Sequence, residues 1–297
     1  MSGDTSWMRG SMVALATPFK DGQVDYAALE ALVEWQIASG QTALVPCGST
    51  GESATMNHAE HADVVAAVIK TAAGRVPVIA GTGSNATAEA IELTRAAERA
   101  GARGALLISP YYNKPTQDGI VEHYRAVANA SGLPLIVYNI PGRTGSTIEP
   151  QTLKRLSDID RVVGVKEATG SLDRVMDTIA ACGDRFALLS GEDSLTVPMI
   201  AMGARGVITA AGNVIPKEMA QLTEAALAGR YDEARKVSYA ALPVIRALFL
   251  ETNPIPVKAA LSMMGRCRDE LRLPLLPMTA GPREQLRKVL VAAGVLR

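Results

Sequence analysis

Lys166 stands inside an apolar run, Val162-Val-Gly-Val-Lys-Glu-Ala-Thr169. Burying an ammonium is costly unless it is paired, so a lysine is rarely spent there. A desolvated lysine loses its proton readily and becomes a nucleophile for carbonyl carbons. The same residue could instead snorkel to the strand end or pair with Glu167. Tyr138 ends a second apolar run and opens Tyr138-Asn-Ile-Pro-Gly-Arg-Thr-Gly145. Its phenol could pass protons beside Lys166, or be a satisfied core tyrosine. Arg143, in the loop that follows, offers a fork for a carboxylate, or is a solvated charge. Cys47-Gly-Ser-Thr-Gly-Glu52 sets two hydroxyls between glycines, enough to hold a small carboxylate or simply to make a turn.

Three other features compete. Tyr111 and Tyr112 lie in a proline-bounded loop, where adjacent tyrosines can serve as interface packing. His58 and His61 are three apart at the start of a helical pattern. With one other histidine and no His-Glu-x-x-His, they read as an exposed pair or a small-ligand contact rather than a metal site. Gly81-Thr-Gly-Ser-Asn-Ala86 matches a dinucleotide fingerprint. The next strand offers no acidic residue for a ribose, which counts against a nicotinamide-dependent oxidoreductase.

Eight nearly continuous apolar runs must position these residues. They lie near 12–19, 43–48, 77–83, 104–110, 134–141, 162–169, 186–192 and 206–213. Continuous rather than alternating apolarity marks strands covered on both faces. Helical patterns separate them, as in 25–39, 86–100, 117–131 and 216–227, with Gly40, Gly101 and Gly132 supplying left-handed ends. Eight such units in about 230 residues fit a (β/α)8 TIM barrel, whose chemistry sits at the C-terminal strand ends. A doubly wound open sheet fits the same count. After residue 229 the rhythm changes to three helices, at 230–250, 254–264 and 281–293. The expected division is a catalytic barrel over 1–229 and a C-terminal helical domain over 230–297.

Composition narrows the partners. Of 297 residues, 30 are Lys or Arg and 30 Asp or Glu, so no basic excess points to nucleic acid. No apolar run approaches the roughly 20 residues of a membrane span. Three scattered cysteines, Cys47, Cys182 and Cys267, fit a reducing cytoplasm rather than a disulfide framework.

Gly48-Ser-Thr-Gly-Glu52, Tyr111-Tyr112, Tyr138-Asn-Ile-Pro-x-Arg-Thr-Gly145 and Gly164-Val-Lys-Glu-Ala-Thr-Gly170 occur in one order along one chain. Together with Asn253-Pro-Ile-Pro-Val-Lys258 and Leu271-Arg-Leu-Pro274, this resembles the pyruvate-dependent class I aldolases of the N-acetylneuraminate lyase superfamily. Arg143-Thr-Gly145 is similar to the dihydrodipicolinate synthase branch rather than to the sugar-acid lyases. Ser49 departs from the threonine common in that branch, but keeps the hydroxyl.

The resemblance implies condensation of pyruvate with L-aspartate 4-semialdehyde through a Lys166 Schiff base. That is the first committed step of the diaminopimelate route to lysine. It implies a proton relay of Tyr138, Ser49 and Tyr112, the last reaching in from a neighbouring subunit. Arg143 would hold the semialdehyde carboxylate and Thr50 that of pyruvate, with backbone contacts from Gly191 and Ile208. No metal or organic cofactor is implied, because the lysine is the electron sink. A homotetramer, a dimer of dimers, is implied too. So is feedback inhibition by L-lysine bound at Ser53, Ala54, His58, His61, Asn85, Glu89 and Tyr111.

Overall fold

The computed structural model describes residues 5–296. Its eight-stranded sheet comprises β1 (Gly10–Ala14), β2 (Ala43–Val45), β3 (Ile79–Gly81), β4 (Gly104–Ile108), β5 (Leu135–Asn139), β6 (Val162–Glu167), β7 (Ala187–Ser190) and β8 (Gly206–Thr209). All pairings are parallel, and β8 returns to β1. A parallel bridge from Leu44 to Val78 joins β2 to β3 and closes the ring. The fold is therefore a (β/α)8 barrel, and the open-sheet alternative falls.

The barrel is built from two apolar layers, as the pleat requires. Met12, Ala14, Ile79, Leu106, Ile136, Leu189 and Ile208 point inward and fill the bore. Val13, Leu44, Ala80, Leu107, Val137, Val165 and Val207 point outward onto the helices. The outer ring contains α1 (Tyr26–Ala38), α2 (His58–Ala72), α3 (Thr87–Ala100), α4 (Gln117–Ala130), α5 (Pro150–Ser157), α6 (Leu172–Cys182), α7 (Thr196–Ala201) and α8 (Pro216–Leu227). Local chemistry starts several of them. Asp25, Asn57, Thr116 and Ser171 each accept from a backbone N–H of the first turn, satisfying donors that a helix start leaves orphaned.

Two local expectations are corrected. The first apolar run does not continue to Phe19 as one strand. It leaves the barrel after Ala14, and Phe19–Lys20 pairs with Gln23–Val24 as a short hairpin. Gly40 and Gly101 take positive φ as expected, but Gly132 does not. Ser131, in extended conformation, ends α4 instead. Gly132 then donates to Glu98 Oε1 at 2.8 Å, and a Cβ there would meet that oxygen at 2.4 Å.

Three helices follow: α9 (Tyr231–Ala247), α10 (Ile255–Met263) and α11 (Ala280–Ala292). Val244, Val257, Leu261, Leu286 and Leu290 join the same apolar cluster as the outer barrel layer. No helix among the described residues is long and apolar enough to cross a membrane.

Candidate active site

Tyr138 and Lys166 are the second-last residues of β5 and β6, and the register sets them side by side. Both point into the barrel. Lys166 is only 6% exposed, and its Nζ lies 4.2 Å from the centroid of the Tyr138 ring. Burial pulls the ammonium down to about 8, while the negative charges of Asp193 and Glu192 hold it from falling further. The alternative pairing with Glu167 does not occur. Adjacent strand residues face opposite ways, and Glu167 accepts from Asn139 Nδ2 at 3.0 Å and the Thr169 N–H at 2.8 Å. Burial raises the Tyr138 phenol well above its ordinary range, against a lowering by the Arg143 charge, so it stays a proton donor at neutral pH.

The lysine needs room, which Gly191 and the loops supply. Gly191 follows β7, and a Cβ there would lie 3.2 Å from Lys166 Cε and 2.6 Å from the Ala168 Cβ. Ile208 is fully buried in β8. Asp193 was not singled out by its type or spacing. It is buried, and its Oδ2 accepts from the Ala210 and Ala211 N–H groups at 3.2 and 2.8 Å. That fixes the carboxyl near the lysine; burial raises its proton affinity, and these N–H groups and the Lys166 charge oppose the rise.

The loop after β2 is tightly constrained. Cys47 and Glu52 both take positive φ, at 56° and 54°. Non-glycine residues tolerate this only where the surroundings hold them. Thr17 donates to the Gly51 carbonyl at 2.8 Å. Thr50 Oγ1 accepts from Asn253 Nδ2 at 3.0 Å. Lys258 pairs with Glu52 at 2.6 Å, both side chains fully buried. Arg143 lies in a four-residue helical turn, Pro141–Thr144, and its Nη2 donates to the Asn253 carbonyl at 2.8 Å.

A cavity of about 580 Å³ opens at this end of the barrel, lined by Ser49, Tyr138, Arg143 and Asn253 among others. It continues past Ser53 and Ala54 to His58, His61, Glu89 and Tyr111. Ser49, Tyr138 and Arg143 of one predicted group thus share a cavity with Ser53, Ala54, His58, His61, Glu89 and Tyr111 of the other, while Lys166, Thr50, Gly191, Ile208 and Asn85 do not line it. His58 Nε2 lies 2.8 Å from Glu89 Oε1, which raises the imidazole's proton affinity. Ser84 also bonds Glu89, and these two contacts, the serine first, hold its carboxyl low. Asn85 Nδ2 donates to the Tyr111 carbonyl at 3.1 Å. The histidines are not an exposed pair. His61 is buried, its Nε2 lies 2.8 Å from the Gly81 carbonyl, and burial lowers its proton affinity.

Tyr112 is apart from this group in the single chain. It is 88% exposed and takes a positive φ of 72°. The glycines of the dinucleotide-like motif have a packing role. A Cβ at Gly81 would meet the Cys47 carbonyl oxygen at 2.2 Å, and one at Gly83 the Ile108 nitrogen at 2.3 Å. Close approach of neighbouring backbones demands glycine there.

The sequence matches the dihydrodipicolinate synthetase family over residues 7–293. The chain belongs to that family. It is 53% identical over 289 residues to the 4-hydroxy-tetrahydrodipicolinate synthase of Nitratidesulfovibrio vulgaris, covering 97% of this chain and 99% of that one. Among solved structures it is similar to a dihydrodipicolinate synthase from Acinetobacter baumannii, complexed with pyruvate. The TM-score is 0.96 and the identity 45%, over 97% of this chain and 99% of the other. It is also similar to a dihydrodipicolinate synthase from Cyanidioschyzon merolae with lysine bound. There the TM-score is 0.95 and the identity 40%, over 98% and 99% of the two chains. The chain is accordingly an enzyme of the lyase class.

Proposed function

We propose that this enzyme condenses pyruvate with L-aspartate 4-semialdehyde to give 4-hydroxy-tetrahydrodipicolinate, the entry to the diaminopimelate route to lysine. The observation that carries the reading is Lys166: a buried amine, pulled down to about 8, beside a buried phenol at a barrel mouth. An amine of that kind attacks carbonyl carbons near neutral pH. Its nitrogen adds to the ketone of pyruvate, and loss of water leaves an iminium. That cation takes up the electrons of a methyl C–H bond as the proton departs, giving an enamine. The enamine carbon attacks the aldehyde, forming the new C–C bond and an alkoxide that takes a proton. The substrate amine then adds to the iminium carbon, closes the ring and releases Lys166.

Each stage moves a proton at or near the nitrogen. Tyr138, Ser49 and Tyr112 of the partner subunit form the relay. The exposure of Tyr112 supports a role across a subunit boundary, and so at least a dimer, within a dimer of dimers. Thr50 holds the carboxylate of pyruvate and Arg143 that of the semialdehyde, with Gly191 and Ile208 giving backbone contacts.

The arm of the cavity at His58, Glu89 and Tyr111 is the L-lysine site, with Glu89 taking the side-chain ammonium. Its continuity with the Ser49–Tyr138 region supports a coupling between effector and reaction. Two assays test the function. The enzyme should condense pyruvate with L-aspartate 4-semialdehyde and leave N-acetylneuraminate uncleaved; the reverse preference would refute the substrate assignment. Millimolar L-lysine should slow the reaction and Glu89→Gln should weaken that effect; no inhibition would refute the regulatory site.

A further inference from the structure

Asn253 lies in the segment between α9 and α10, yet it reaches both groups proposed above to hold carboxylates. Its Nδ2 donates to Thr50 Oγ1 at 3.0 Å, and its backbone carbonyl accepts from Arg143 Nη2 at 2.8 Å. It is buried and lines the same cavity. Its buried Oδ1 finds no partner among the described residues, whereas most buried polar atoms are paired.

The direction of the Thr50 bond matters. A hydroxyl has one proton to give and two lone pairs. Because Asn253 spends its N–H on the oxygen, the Thr50 proton stays available for another acceptor, such as a substrate carboxylate. We propose that Asn253 is a positioning residue for pyruvate, aiming the Thr50 hydroxyl at the substrate carboxylate while its backbone anchors Arg143. The inference rests on the roles proposed for Thr50 and Arg143. It makes the C-terminal segment part of the binding site rather than a cover.

A double-mutant cycle tests it. The readout is the pyruvate concentration that gives half-maximal borohydride-trapped adduct. Thr50→Val removes a hydrogen bond to a charged group and should raise this value about tenfold or more. Asn253→Ala should raise it several-fold. The double variant should match Thr50→Val alone within about twofold, because Asn253 acts through the hydroxyl. The KM for the semialdehyde should move little, since the Arg143 anchor is backbone.

Asn253→Leu keeps the volume, adds no charge and serves if the alanine variant does not fold. It removes the N–H that holds the Thr50 oxygen. Its effect should match that of Asn253→Ala and vanish in the Thr50→Val background. Multiplying effects in either cycle, or no effect of Asn253 at all, would overturn the positioning role. Loss of the adduct in the unmodified enzyme would count instead against the Schiff-base reaction.

Discussion

Replacing Lys258 by methionine keeps a straight, similarly sized side chain and removes one charge of a buried pair. In the native chain Lys258 Nζ lies 2.6 Å from Glu52 Oε1, with both side chains shielded from water. The ammonium also sits 4.1 Å from the centroid of the Phe19 ring. After the substitution Glu52 keeps the Arg272 N–H, 3.2 Å from Oε2, and the attraction of the part-buried Arg272 guanidinium, but loses its ion-pair partner. Removing one partner of a buried pair costs about 3–5 kcal/mol. For a large domain, 1 kcal/mol moves Tm by roughly 2–4 °C, so Lys258→Met should melt about 6–20 °C lower. The double variant Lys258→Met with Glu52→Gln removes the stranded charge and should recover at least half the loss. Calorimetry at one fixed protein concentration reads both, since assembly makes Tm concentration-dependent. A single variant within about 1 kcal/mol of the parent would refute the reasoning. So would a double variant no more stable than the single one, which would assign the effect to lost packing on Phe19.

Two further outcomes are expected. Adduct formation at low pyruvate should rise about tenfold per pH unit up to pH 7, then level off above about 8, because only the neutral Lys166 amine attacks. A rise continuing past pH 10 would mean an unperturbed lysine. Tyr112→Phe should slow turnover by roughly 10²-fold, the usual scale for a proton-transfer group, while leaving the pyruvate adduct intact. Unchanged turnover would remove Tyr112 from the relay.

The barrel was legible because its strands are aliphatic runs, and polar residues at their ends stand out against that background. Lys166 and Tyr138 are such residues, and the parallel register makes them neighbours. What local pattern could not carry were contacts across long chain separations. Asn253 meets Thr50 across 203 residues and Lys258 meets Glu52 across 206. Nothing in the segment before α10 or in the periodicity of α10 announces these contacts. The facing of Glu167 was open to the same uncertainty, because a strand alternates faces but its register alone decides which is inside. His61 likewise looked like a twin of His58. Helical rotation over three residues turns its ring toward the Gly81 carbonyl instead. Tyr112, with its positive φ and full exposure, shows its strain only in three dimensions.

The most direct test of the account is intact-mass analysis after mixing the enzyme with pyruvate and reducing with borohydride, followed by peptide mapping. The account predicts one stable pyruvate-derived adduct per chain, on Lys166, absent from Lys166→Arg. A folded enzyme that forms no adduct, while a control aldolase does, or an adduct mapping to another lysine, would contradict it.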